Sequence, residues 1–95
     1  RPAGSPARPA ATARAPDPLA TAMEIRAFQQ LIADLYLARD SERGLPGTYF
    51  WFMEEVGELT RALRRGHQGE ALASEFADVF AWLASLANMQ GIDLE

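Results

Sequence analysis

Residues 52–63 read FMEEVGELTRAL and residues 72–83 read LASEFADVFAWL, and these two segments decide the fold. In each segment, four large apolar residues recur at the spacing of one face of an α-helix. They are Phe52, Val56, Leu59 and Leu63 in the first segment and Leu72, Phe76, Val79 and Leu83 in the second. Since no segment shows the alternating pattern of a β-strand, we predict an all-α fold.

Working outward from these segments, we predict three helices. The first covers about Met23–Arg39, and a polar loop follows at Asp40–Gly47 because glycine and proline recur there. The second helix begins with Thr48 as its N-cap and stops at Gly66. The third covers about Glu70–Met89. The connection at 66–69 is short, so the second and third helices should be antiparallel neighbours.

Residues 1–22 differ from the rest of the chain. They are rich in alanine and proline and show no apolar periodicity, so they have little surface to bury. We predict a disordered tail or a non-native extension before Met23, and a transit peptide is the less favoured alternative. Residues 23–95 then form the helical domain.

Charge and length restrict the function of this domain. Residues 23–95 carry six arginines and twelve acidic residues, and this negative balance argues against binding to a nucleic acid polymer. The sequence has no run of about 18 apolar residues, so we expect no transmembrane helix and a cytoplasmic protein. A body of about 73 residues without cysteine is small for one core, so we expect it to pair with a second copy.

Four acidic residues occupy equivalent positions in the two central segments. Glu55 matches Glu75 and Glu58 matches Asp78, and both pairs flank the apolar stripe on the same side. If the two helices pack through their apolar faces, all four carboxylates converge on one side of the pair. Like charges in such proximity repel one another unless a cation lies between them.

The composition of this acidic group favours a magnesium site. Carboxylate oxygens are the ligands that Mg²⁺ prefers, and neither acidic pair includes a histidine, which argues against iron and zinc and leaves Mn²⁺ as the other candidate. The competing interpretation is that the acids form a solvated helix face. Their matched register on adjacent helices favours the metal site.

The segment 52–63 resembles the Glu-Glu-Val-Gly-Glu-Leu signature of MazG-type nucleotide pyrophosphohydrolases, and Glu75-Phe-Ala-Asp78 resembles the second motif of that family. The ending Gly-Ile-Asp-Leu at residues 91–94 is also similar, and the resemblance covers about residues 23–95. It implies Mg²⁺-dependent cleavage of a nucleoside triphosphate to a monophosphate and pyrophosphate, as in the clearing of unwanted nucleotides from the cellular pool. It also implies a homodimer or a dimer of dimers in which two chains form a four-helix bundle.

The resemblance assigns catalytic and metal-ligand roles to Glu55, Glu58, Glu75 and Asp78. Glu54 matches an additional acid of the family, but it points away from the apolar stripe, so we expect it behind the ligands or in solvent. For the substrate, Arg39 and Arg43 are candidates to bind phosphates. Trp51 and Trp82 are candidates to contact the base, and filling an interface or the core is the alternative for both.

Two other functions remain open at this point. Phosphoribosyl-ATP pyrophosphatase of histidine biosynthesis has similar carboxylate helices, but the context of Gly57 and the Gly-Ile-Asp-Leu ending favour the MazG type. A non-catalytic dimeric helical interaction module is the other alternative. The presence of all four carboxylates argues against it.

Overall fold

The computed structural model describes residues 22–95, which form three helices: α1 (Ile25–Arg43), α2 (Leu45–Arg64) and α3 (Gly69–Met89). Within these residues there is no strand, so the all-α prediction is confirmed. None of the helices at 22–95 is both long and apolar enough to span a bilayer. The predicted disorder of residues 1–22 falls outside the described residues, except at Ala22, which is exposed.

The prediction of a polar loop at Asp40–Gly47 is wrong. Helix α1 continues to Arg43, and Gly44 alone separates it from α2. Gly44 has a φ of 93°, a conformation that residues with a Cβ rarely adopt, and this turns the chain sharply. Pro46 lies in the first turn of α2, where its missing N–H removes no helical hydrogen bond. A glycine and a proline therefore make a tight helix boundary here.

Thr48 is also not the N-cap of α2, because Gly44 occupies that position. Thr48 lies inside the helix and is fully buried, and its hydroxyl donates a hydrogen bond to the Gly44 carbonyl at 2.9 Å. The start of α1 differs by two residues from the predicted one, since Glu24 is the N-cap and Ile25 the first helical residue.

The C-terminal ends of α2 and α3 agree with the predicted ones. Helix α2 ends at Arg64 and α3 ends at Met89, and positive φ angles follow at Gly66 and Gly91. The short connection between Arg64 and Gly69 returns the chain, so α2 and α3 pack as antiparallel neighbours with the most extensive contact in the structure. Helix α1 packs mainly against α3.

The buried core of the described residues is not centred on the predicted apolar stripe. It is formed by Phe28 and Ile32 of α1 against Ala81 and Ala84 of α3, with Phe28 stacked on Phe80. The stripe residues Leu63, Phe76 and Leu83 are exposed in this chain. The helices instead face one another through alanines and acidic residues, and much of the apolar stripe remains on the outside.

The C-terminal segment is held against α1 by polar contacts. The buried Gln29 side chain donates to the Ile92 carbonyl at 2.9 Å and accepts from the Leu94 amide at 2.7 Å. At the surface, Arg26 pairs with Asp93 at 2.9 Å and with Glu95 at 3.1 Å. The pKa of Asp93 is held below its usual value, because the Glu95 amide and then the Arg26 guanidinium stabilise its ionised form.

Candidate metal centre

Three acidic side chains from α2 and α3 meet inside the helix pair. Glu55 of α2 and Glu75 and Asp78 of α3 each offer a carboxylate oxygen, and these oxygens lie within 4.8 Å of one another. Glu55 is 0% exposed and Asp78 is 3% exposed, whereas Glu75 is half-buried. We call these three residues the acid cluster. It lies between the two helices with its half-buried member toward the solvent.

The acid cluster has the chemistry and the spacing of a divalent cation site. Adjacent ligands of an octahedral Mg²⁺ ion are about 3 Å apart and opposite ones about 4 Å, since each oxygen lies about 2.1 Å from the ion. Small side-chain rotations would bring oxygens separated by up to 4.8 Å into this range. Buried carboxylates this close repel one another strongly in a low dielectric, and a cation between them removes that repulsion. The cluster could therefore hold a metal ion.

Glu58, the fourth predicted ligand, lies outside this cluster. Its side chain keeps 19% of its surface exposed, and its Oε1 is 3.8 Å from Arg61 on the next turn of α2. Its position farther round α2 from the centre of the apolar stripe than Glu55 accounts for the difference. The structure thus brings three of the four predicted acids together and leaves Glu58 at the edge.

A cavity of about 370 Å³ lies near the start of α2. Arg43, Gly47, Phe50, Trp51 and Glu54 line it. Glu54 is exposed, and its predicted place behind the ligands or in solvent stays a prediction. Trp51 precedes Glu55 by one turn of α2, so their backbones are about 6 Å apart along the helix.

The structure separates the two arginines that were candidates to bind phosphates. Arg43 lines the cavity, and its guanidinium carbon lies 5.4 Å from the centre of the Trp82 ring. Arg39 is exposed on α1 and does not line the cavity. Trp82 is fully buried beneath Arg43, one turn of α3 beyond Asp78. Arg43 therefore lies over the turn of α3 that follows Asp78.

Sequence reasoning missed the residues that surround Arg43. Asp40 and Thr48 both accept hydrogen bonds from its Nη1, at 2.8 Å and 3.3 Å. The spacing of Asp40 and Arg43 at i and i+3 was the available signal, because this spacing places the two side chains together on a helix. Assigning both residues to a loop removed that signal.

The comparisons with known proteins agree with this geometry. A family model described as the MazG nucleotide pyrophosphohydrolase domain matches residues 47–95, which is just over half of the chain. The matched range contains the acid cluster and Glu58, and α1 lies before it. No curated protein and no solved structure matched the chain. The chain belongs to the family of MazG nucleotide pyrophosphohydrolase domains.

Proposed function

We propose that this protein is a Mg²⁺-dependent pyrophosphohydrolase that cleaves a nucleoside or deoxynucleoside triphosphate to the monophosphate and pyrophosphate. The observation that carries the proposal is the acid cluster: three carboxylates from two helices, two of them buried, with oxygens within 4.8 Å. A fold seldom buries such a group unless a cation is to be bound there. The family of the chain supplies the class of reaction.

In this proposal Glu55, Glu75 and Asp78 hold the cation. Glu58 becomes a fourth ligand when its carboxylate turns away from the exposed Arg61, an ion pair of 3.8 Å that contributes little at a surface. All-oxygen ligands favour Mg²⁺, and Mn²⁺ can replace it. When bound, the cation neutralises charge on the phosphate oxygens of the substrate.

The residues of the chain then perform the remaining steps. One water molecule is added across the bond between the α and β phosphates, and the proton that this water loses needs a base. A carboxylate of the acid cluster that faces the water accepts this proton. The two products, a nucleoside monophosphate and pyrophosphate, together contain all the atoms of the substrate and the water.

Residues beside the acid cluster are placed to bind the rest of the substrate. Arg43 brings a positive charge to the cavity and is suited to the triphosphate. Trp51 and Phe50 give the cavity an aromatic lining against which a base can stack. Trp82 lies beneath Arg43, so we propose that it supports Arg43 and does not stack on the base. Arg39 contacts phosphate only if the substrate extends beyond the cavity.

We further propose that the active form is a homodimer, or a dimer of such dimers, in which the central helices of two chains form a four-helix bundle. Twelve large apolar side chains among the described residues keep 39% or more of their surface exposed. Only three, Phe28, Ile32 and Trp82, are buried. Exposed apolar surface on this scale is typical of a protein that associates. The stripe residues Leu63, Phe76 and Leu83 are among the exposed ones and lie on the central helices.

The function is tested by analysing the products of a panel of nucleoside and deoxynucleoside triphosphates incubated with the full chain and MgCl₂. We expect monophosphate and pyrophosphate in equal amounts, and no product in EDTA. The Asp78→Asn variant should be inactive, and the matched control Asp34→Asn, which makes the same change at an exposed position of α1, should retain activity. Release of a diphosphate and inorganic phosphate, or equal activity of both variants, would contradict the proposal.

A further inference from the structure

Arg43 is held by one residue from each of the three helices. Its Nη1 donates hydrogen bonds to Asp40 of α1 at 2.8 Å and to Thr48 of α2 at 3.3 Å. Its guanidinium carbon lies 5.4 Å from the ring centre of Trp82 of α3, within the range of a cation–π interaction. An arginine side chain on a surface ordinarily samples many rotamers. These contacts restrict Arg43 to one of them.

The two hydrogen-bond acceptors are themselves held in place. Asp40 is buried and faces Arg43 as a charge-assisted partner. The Thr48 hydroxyl donates its proton to the Gly44 carbonyl at 2.9 Å, so its oxygen can only accept from Arg43. Both bonds of Arg43 leave from Nη1, so they do not use Nη2 or Nε.

The Arg43 side chain also leaves no space for a Cβ atom at position 47. A Cβ atom added at Gly47 would lie 2.9 Å from Cγ and 3.3 Å from Cδ of Arg43, closer than carbon atoms normally approach. Gly47 lies inside α2, where glycine is an unfavourable residue relative to alanine. The close approach of Arg43 therefore explains a glycine that the helix itself does not require.

This arrangement leaves part of Arg43 available to a ligand. Its side chain keeps 23% of its surface exposed and lines the cavity near the start of α2. Trp82, on which it rests, follows Asp78 of the acid cluster by one turn, about 6 Å along the helix. A triphosphate bound at the cluster would extend over this distance.

We propose that Asp40, Thr48 and Gly47 are positioning residues, which fix the Arg43 guanidinium against Trp82 so that it meets the substrate triphosphate without reorganising. This inference rests on the proposed function. Positioning matters because a charged group displaced by about 1 Å can lose about a hundredfold in rate. Asp40 and Thr48 set the direction of the guanidinium, and Gly47 gives its aliphatic part the space to lie flat.

The kinetic test uses Thr48, since valine has the shape of threonine without the hydroxyl and serine keeps the hydroxyl. Thr48→Val should lower kcat/KM about tenfold, whereas Thr48→Ser should remain close to wild type. In an Arg43→Ala background, Thr48→Val should have no further effect, because Thr48 acts through Arg43. An equal loss in both backgrounds, or an unaltered Thr48→Val enzyme, would overturn the inference.

A second test does not depend on turnover. Trp51→Phe leaves Trp82 as the only tryptophan, so its fluorescence reports on the contact with Arg43. In this background, Arg43→Ala should shift the emission to the red and increase quenching by acrylamide, and Thr48→Val and Gly47→Ala should do the same to a smaller extent. If Arg43→Ala changes the emission and the other two variants do not, the positioning role is wrong. Absence of turnover by the wild type would contradict the proposed function. The fluorescence test would still show whether Thr48 and Gly47 position Arg43 against Trp82.

Discussion

Replacing Asp78 by asparagine should have opposite effects on stability with and without metal. Asp78 shares the acid cluster with Glu55 and Glu75, and their oxygens lie within 4.8 Å. At this distance and an effective dielectric constant of about 20, each pair of charges repels by about 3.5 kcal/mol. Other interactions of these side chains offset most of this energy, so we expect a net gain of about 2 kcal/mol from the variant in metal-free buffer. For a domain of this size, that raises Tm by about 8–16 °C.

Magnesium should reverse the order of the two proteins. At about a thousand times its dissociation constant, Mg²⁺ stabilises the native wild type by about 4.1 kcal/mol, which exceeds the variant's apo gain of about 2 kcal/mol, and the variant loses most of the magnesium effect with its ligand. The assay is thermal unfolding followed by circular dichroism in EDTA and in MgCl₂. Asp34→Asn is the matched control, because it changes an exposed carboxylate of α1 and should respond to Mg²⁺ as the wild type does. If Asp78→Asn unfolds at the wild-type temperature in EDTA and keeps the full magnesium response, the acid cluster is not the metal site.

Three further predictions concern the rest of the structure. Gln29→Ala removes the partners of the Ile92 carbonyl and the Leu94 amide, so it should destabilise the protein by about 2 kcal/mol and lower Tm by about 10 °C in a thermal unfolding experiment. Asp93→Asn should weaken the protection of the Glu95 amide from hydrogen exchange at pH 7, because that amide donates to the Asp93 carboxylate. Since the folded pKa of Asp93 is lowered, the difference in protection between wild type and variant is complete above about pH 4. It should vanish as the pH falls through the folded pKa of Asp93. Leu83→Glu should convert the proposed dimer into a monomer in light scattering, and a wild type that is already a folded, active monomer at micromolar concentration would contradict the assembly.

The sequence predicted the helices and all three residues of the acid cluster because both depend on periodicity. Glu55 and Glu75 occupy equivalent positions twenty residues apart, and this register does not depend on where each helix begins or ends. The mode of packing could not be predicted in the same way. An apolar stripe indicates a buried face but does not say whether it is buried within one chain or against a second one. Here Phe76 and Leu83 are exposed, and the faces that carry the acids meet instead.

The junction between α1 and α2 was mispredicted because glycine and proline have two structural meanings. Both residues mark loops, but proline is also favoured in the first turn of a helix, and a single glycine with positive φ can separate two helices. Gly44 and Pro46 have these second roles. Because Asp40–Gly47 was predicted to be a loop, the contacts of Arg43 were not predicted. Asp40 and Thr48 both contact Arg43 because α1 continues to Arg43 and α2 begins at Leu45.

Diffraction from crystals of the full chain soaked in MnCl₂ tests the central claim most directly, since manganese has a measurable anomalous signal and can occupy a magnesium site. The claim is that Glu55, Glu75 and Asp78 together hold the catalytic cation. It predicts an anomalous peak between these three carboxylates, within about 2.3 Å of at least one oxygen of each, and no such peak in crystals of Asp78→Asn. A peak elsewhere on the protein, with no density between the three side chains in an enzyme that hydrolyses nucleotides with Mn²⁺, would contradict it.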